Sequence, residues 1–321
     1  MGYFDTKSYN MSTATIQKVK DDLNWEKALQ EVKDKLIDIE KKMSFFLPYS
    51  EISRINDNSG VNKVLVSEDT LEVVKNSVKY SELTNGIFDI TMGPIISEWG
   101  IFSDNERIPE NEEIKKLMKL VNYKYIEIDE KEKTIMLKKK GQKIDLGGIA
   151  KGYATDVAIE IYKKYGISSA MINIGGNVSV LGRKEDNEPW NVGIQNPNKE
   201  RGEIIAIVQC EDESVVTSGN YVRNYKVDNK IYGHIMNSKS GLPVDNDLGS
   251  VTIISKKAID ADALTTTLFS MGFEGAINFI NSMKHISVVL ITNKNEVYVS
   301  DSLRDKFHII DNEKFDFYYI L

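Results

Sequence analysis

The chain has 321 residues, 41% apolar and 28% charged, with 41 basic side chains against 48 acidic for a net charge of −7. That is a globular composition in a chain long enough to bury a sizeable core. The acidic balance and the lack of a basic stripe set nucleic acid aside as a main partner. Cys210 is the single cysteine, so no disulfide forms within the chain, and in its apolar strand it reads as a small buried hydrophobe. His234, His285 and His308 are too scattered for a histidine-rich zinc site.

No apolar run has spanning length and no signal-peptide pattern opens the chain. The expectation is a soluble protein, cytoplasmic if its N-terminus is native. The alternative is an exported, membrane-anchored protein in which Met1-Gly2 stands where an export signal was removed; no lipobox cysteine is present.

In chain order, 13–19 reads as a strand. An amphipathic helix follows over about 24–46, with Trp25, Leu29, Val32, Leu36, Ile39 and Met43 on one face. Pro48 then opens a loop expected to end near Gly60. Ser67 caps a second helix over 68–84, with Leu71, Val74 and Val78 inward. The stretch Asn85-Gly-Ile-Phe-Asp-Ile-Thr-Met-Gly-Pro94 is dense in turn formers and carries Asp89 and Thr91, a composition found in ligand-binding loops and in plain turns alike. A charged loop over 104–113, a short helix over 112–120 and a hairpin of 125–129 with 133–138 come next.

At Ile144-Asp-Leu-Gly-Gly-Ile-Ala-Lys-Gly-Tyr-Ala-Thr-Asp156 the pattern predicts a strand over 143–146, a break at Gly147-Gly148, and a helix to about Gly166. A glycine turn entering a helix presents free N–H groups and the positive end of the helix dipole, an anion cradle. Lys151 falls in that first turn, where a cation calls for something negative nearby. A phosphorylated ligand answers that need, although such turns are also common without one. Neither a Walker A loop nor a dinucleotide fingerprint is present.

Beyond it, strands are expected over 170–174, to Leu181, and at 192–194, 204–210, 287–292 and 297–300. Two more run into polar glycine turns at Thr217-Ser-Gly-Asn-Tyr221 and His234-Ile-Met-Asn-Ser-Lys-Ser-Gly-Leu-Pro243. An N-capped helix over 259–272 places Asp262 and Thr266 one turn apart on one face, followed by a helix over 274–283. A carboxylate and a hydroxyl so placed suit a hard cation such as Mg²⁺. The structural alternative is that Asp260 and Asp262 only complement the helix dipole. Strands interleaved with helices and several hairpins indicate an α+β chain.

Seven ordered motifs resemble the flavin transferases, the FAD:protein FMN transferases of the ApbE family. They are Met43-Ser-Phe-Phe-Leu-Pro-Tyr-Ser-Glu-Ile-Ser-Arg-Ile-Asn56, Gly86 to Pro94, Ile144 to Ala154, Asn173-Ile-Gly-Gly-Asn177, Thr217 to Tyr221, His234 to Val244, and Asp260-Ala-Asp-Ala-Leu-Thr-Thr266. The resemblance implies a single flavin-transferase domain over 1–321. Its fold would be a T-fold-like core of mixed and antiparallel sheet elaborated by helices, two lobes around a central FAD cleft. It implies Mg²⁺-dependent transfer of FMN from FAD to a Ser or Thr hydroxyl of an acceptor flavoprotein, with release of AMP.

By the same resemblance Asp262, Thr266 and the Gly148 carbonyl would hold magnesium, with Thr265 a ligand or a supporter of one. Asp145, Lys151, Phe88 and Asp89 would contact FAD, Met236, Gly175 and Gly176 would line its site, and Phe46 falls where many relatives carry a tyrosine near the flavin. Lys151 and Asp262 would take part in catalysis, and His234 is the candidate to accept the acceptor's proton, or else holds its own turn. Departures from the family pattern are Phe46, Asn237-Ser238 in place of Asp-Pro, and Asn220 in place of Asp. Two rival readings share these residues, a Mg²⁺-dependent FAD pyrophosphatase and a non-catalytic flavin-binding protein.

Overall fold

The computed structural model describes residues 2–101, 106–200, 202–219, 224–227, 230–283, 286–311 and 313–320, with backbone alone at 224–227 and 230–231. Asn220, Tyr221, His285 and part of the expected loop at 104–113 lie outside the described residues. The chain groups into two compact units, Met1–Ile37 with Lys151–Tyr221 and Asn246–Leu321, and Asp38–Ala150 with Val222–Asp245. The architecture is mixed α+β, with large and mostly antiparallel sheets.

The first unit is built on a nine-stranded sheet. Its order is Tyr3–Asn10, Thr13–Lys20, Ala170–Ile174, Asn177–Leu181, Ser214–Gly219, Leu248–Ser255, Ser287–Thr292, Glu296–Ser300 and Asp316–Ile320. Neighbours run antiparallel except the last pair, which is parallel. Tyr3–Asn10 has no counterpart among the predicted elements, because Asp5, Lys7 and Ser8 interrupt any apolar alternation. Its partner supplies the pattern: Thr13–Lys20 alternates buried and half-buried positions along most of its length and pairs with the edge strand throughout.

A second sheet of Phe307–Ile309, Ile204–Cys210 and Trp190–Gln195 shares an apolar core with the first, including Val192, Ile194, Val208, Val289 and Val297. Cys210 lies in that core, where burial pushes its thiol up to about 12, so it stays protonated and unreactive. The Ala150–Lys164 helix is tied to the large sheet by Tyr162, whose hydroxyl donates to Gln17 Oε1 at 2.8 Å. The Ala258–Ile280 helix packs on Ser214–Gly219 and Leu248–Ser255. Gly272, at φ 73° and ψ 177°, breaks it into the two predicted segments.

The second unit is largely helical, with Glu51–Asp57, Glu68–Leu83, Gly93–Trp99 and Asn111–Met118, plus the hairpin Ile126–Asp129/Thr134–Leu137. Ser67 caps its helix as predicted, accepting from the Thr70 N–H. Two expectations are corrected here. The stretch after Pro48 is not all loop, because Ser50 caps a helix at Glu51–Asp57 that buries Ile52 and Ile55. Seven residues are too few for a helical period to stand out. Residues 143–146 form no strand and join no sheet. Their backbone partners are a side chain and a loop: Ile144 N–H donates to Asn56 Oδ1 at 2.7 Å, Asn56 Nδ2 donates to Ile144 O at 3.0 Å, and Asp145 N–H donates to Ile90 O at 2.8 Å.

Candidate active site

In the first unit the Ala150–Lys164 and Ala258–Ile280 helices meet at their N-terminal turns. Gly152 makes this possible, since a Cβ there would stand 2.4 Å from Ala258 O. Its N–H donates to Asp262 Oδ2 at 2.8 Å, and Lys151 Nζ stands 3.8 Å from Asp262 Oδ1. Asp262 is only 3% exposed, and a buried carboxylate is tolerable when an N–H and a cation face it. The negative group that Lys151 calls for is therefore present within the protein itself. At 3.8 Å the Lys151 ammonium is an ion-pair partner of Oδ1 outside hydrogen-bond distance.

The threonines next to Asp262 divide into two kinds. Thr265 is fully buried, donates to Asp262 O at 2.9 Å and accepts from Ser218 Oγ at 3.0 Å. Thr266 is half-buried and its hydroxyl makes, among the described residues, a long contact of 3.4 Å to the same carbonyl, a bond it donates and that does not use its lone pairs. Thr265 thus braces the turn, and Thr266 is the better donor to a ligand. No group of three or more His, Cys, Asp or Glu among the described residues forms a metal cage. One carboxylate with a hydroxyl suits Mg²⁺, which keeps waters or phosphate oxygens in the rest of its octahedron.

The Ala258–Ile280 helix is not capped by its own flank, a correction to the N-capped reading. Lys257 stands at the cap position and its side chain makes no cap bond. Instead Asp156 reaches across from the other helix, accepting from Ala258 N–H at 2.7 Å through Oδ1 and from Ile259 N–H at 3.0 Å through Oδ2. Burial, with a smaller push from Asp260, raises its carboxyl to about 6, against the opposing pull of the two N–H donors and Lys257. Such a group holds a proton in the folded state that the unfolded chain has lost between pH ~4 and 6. Its contribution to stability is full below the unfolded value and falls as pH rises through 6. Asp156→Asn is expected to flatten that fall, worth up to ~3 kcal/mol, in urea titrations run from pH 4 to 7.

Gly175 and Gly176 form the tight turn between Ala170–Ile174 and Asn177–Leu181, both with positive φ, and Gly176 N–H donates to Asn173 Oδ1. Their place beside a strand end is as expected.

The second unit gathers another set of expected residues. The 85–94 stretch is bonded by several of them. Asp145 is joined to it through the Ile90 carbonyl, and a Cβ on Gly93 would stand 2.8 Å from Lys143 O. From the 234–243 turn, Ser238 Oγ donates to Gly86 O at 2.6 Å and to Ile87 O at 3.0 Å, and Lys239 Nζ donates to Asn85 O at 2.6 Å. Met236 packs on the Met92, Ile95, Trp99 cluster, and Trp99 Nε1 donates to Gly241 O. Phe88 is buried, and His234 and Gly148 are half-buried.

Asp89 is occupied with folding its own loop. Oδ1 accepts from Thr91 N–H and hydroxyl, Oδ2 accepts from Tyr123 N–H, and burial raises its carboxyl above the usual range. Asp145 Oδ1 likewise accepts from Gly147 N–H at 2.9 Å, shaping the glycine turn. Phe46 is 53% exposed, edge-on to Phe45.

Known proteins resemble the chain over nearly its full length. The model of the ApbE family matches residues 9–290. A Klebsiella pneumoniae protein named FAD:protein FMN transferase is 30% identical over 263 residues, 82% of this chain and 81% of that protein. A Vibrio cholerae protein of the same name is 30% identical over 87% of the chain and 84% of its own length. Among solved structures, the ApbE protein of Thermotoga maritima superposes with a TM-score of 0.88 at 30% identity, covering 95% of this chain and 99% of its own. The flavin transferase ApbE of Vibrio cholerae gives 0.84 at 27%, with 95% and 99% covered. With that span of match in both sequence and fold, the chain belongs to the ApbE family.

Proposed function

We propose that the whole chain acts as one FAD:protein FMN transferase that uses Mg²⁺. The acceptor's Ser or Thr hydroxyl attacks the phosphorus on the FMN side of the diphosphate. A new P–O bond to the acceptor forms, the bond to the AMP phosphate breaks, and AMP leaves. The observation that carries this reading is the buried Asp262 carboxylate, held by Gly152 N–H with Lys151 Nζ 3.8 Å away, at the meeting of two helix N-termini. It is a ready seat for a hard cation and for phosphate oxygens.

Phosphoryl transfer needs positioning and charge neutralisation more than covalent help. Asp262 and Thr266 are assigned to the metal, with Thr265 as the brace. Magnesium, when bound, would neutralise charge on the bridging phosphates. Lys151 meets the phosphate oxygens, and His234 takes the acceptor's proton. In the second unit Phe88, Asp145 and Met236 are assigned to FAD contact, and Asp89 acts through the loop that it folds. Lys151→Ala is expected to weaken FAD binding ~10-fold or more, read by quenching of flavin fluorescence, since a charge-assisted contact contributes about 1.5–3 kcal/mol.

The deciding test incubates the protein with FAD and Mg²⁺, with and without a candidate acceptor flavoprotein. AMP released only with acceptor, and a mass gain on it of one FMN unit, is the expected result. AMP without acceptor makes the protein a pyrophosphatase, and FAD binding with no AMP makes it a flavin-binding protein.

A further inference from the structure

The two helices in the first unit cap each other. Asp262, in the second turn of one, takes the free N–H of Gly152 in the first turn of the other. Asp156, one turn further along that second helix, takes the free N–H groups of Ala258 and Ile259. Each N-terminus thus has at least one orphan donor satisfied by a carboxylate from its neighbour, while Ala150 N–H is taken by Leu146 O before its helix. Gly152 closes the gap that lets both bonds form.

A cap serves a helix equally well from its own flank, and Lys257 has the extended backbone, φ −123° and ψ 129°, that a local cap needs. The chain instead uses a half-buried carboxylate whose desolvation works against its charge. What the distant cap adds over a local one is a fixed distance between the helices. That distance sets where the Asp262 carboxylate stands relative to Lys151.

We propose that Asp156 is a positioning residue for the Asp262 metal seat, tying the two helix N-termini together so that Asp262 Oδ1 is presented beside Lys151. The proposal rests on the reading of Asp262 as a magnesium ligand. Removing the tie lets the helix starts move apart and loosens the seat, while Asp262 and Lys151 themselves remain.

The test is Mg²⁺ binding by titration calorimetry on the full chain, with a Mn²⁺ spin-resonance titration as a second measure, for wild type, Asp156→Asn, Asp262→Ala and the double variant Asp156→Asn/Lys257→Asp. Circular dichroism and thermal melts establish that each is folded. Asp156→Asn is expected to bind the metal ~10-fold or more weakly, the range seen when groups that orient a metal ligand are removed. In the double variant the local cap is expected to restore the melting temperature and leave the metal affinity low. Wild-type affinity in folded Asp156→Asn overturns the proposal, as does affinity restored by the Lys257→Asp cap, which reduces Asp156 to a helix cap. Should Asp156→Asn not fold alone, the double variant carries the same two outcomes. Unchanged Mg²⁺ binding in Asp262→Ala sinks the metal reading itself, a separate failure.

Discussion

Asp262→Ala is expected to lower FMN transfer roughly 10³-fold, because it removes the only carboxylate proposed to hold the metal at the diphosphate. The magnitude reflects where the group sits. Asp262 is almost wholly buried, and its second oxygen is held by Gly152 N–H, so the position of its first oxygen is fixed by the fold. Thr266 offers a neutral hydroxyl one turn away, which does not compensate a missing charge. The check is AMP release and acceptor flavinylation measured with and without a chelator. Wild type should fall to the variant's level when Mg²⁺ is stripped, and the variant should not respond further. Activity of the variant that stays high and still depends on Mg²⁺ would place the metal elsewhere. A thermal melt separates this from unfolding, since losing the acceptor for Gly152 N–H costs about 1–3 kcal/mol by itself.

Much of the secondary structure was legible because its signals are local. Ile204–Cys210 and Ser287–Thr292 fall on their predicted residues, being short apolar runs bounded by polar turns. The break at Gly272 shows in the sequence as a glycine between two helical patterns. The elements that escaped are those whose partners are remote. Residues 143–146 read as a strand, but Ile144 pairs with the side chain of Asn56, 88 positions earlier, and Asp145 with Ile90 O. Tyr3–Asn10 is defined by the strand beside it rather than by its own composition.

The site divides in the same way. Asp262, Lys151 and the glycine turn stood out by residue type and by family resemblance, yet nothing local told that Gly152 and Asp262, 110 positions apart, share a hydrogen bond. Asp156 was visible only as the end of a motif, since its partners lie more than 100 positions away. The one available signal is negative: Lys257, at the start of a well-formed helix, has a side chain that cannot accept from the helix's first N–H groups. Asp89 shows the opposite limit. Its residue type suggested a ligand contact, and its three hydrogen-bond donors come from Thr91 and Tyr123.

The second large effect is expected from Gly152→Ala, and here two principles predict opposite signs. Helix propensity alone favours alanine over glycine by about 1 kcal/mol, so in an open helix the change stabilises. At Gly152 the new Cβ would lie 2.4 Å from Ala258 O, 2.7 Å from Ala258 C and 2.7 Å from Ile259 Cα. All three are backbone atoms of another helix's first turn, so no side chain can swivel aside. The helices must separate, and doing so stretches Gly152 N–H to Asp262 together with the Ala258 and Ile259 N–H bonds to Asp156. Overpacking of this kind costs ~1–3 kcal/mol, and weakening one buried and two part-buried hydrogen bonds adds to it, so a net loss of about 2–4 kcal/mol is expected. The measurement is the urea midpoint at fixed pH, with FMN transfer assayed well below the melting temperature. Transfer should fall there too, because the carboxylate seat moves while the protein stays folded. A raised midpoint with full activity would mean that propensity wins and that the two helix starts do not touch as described.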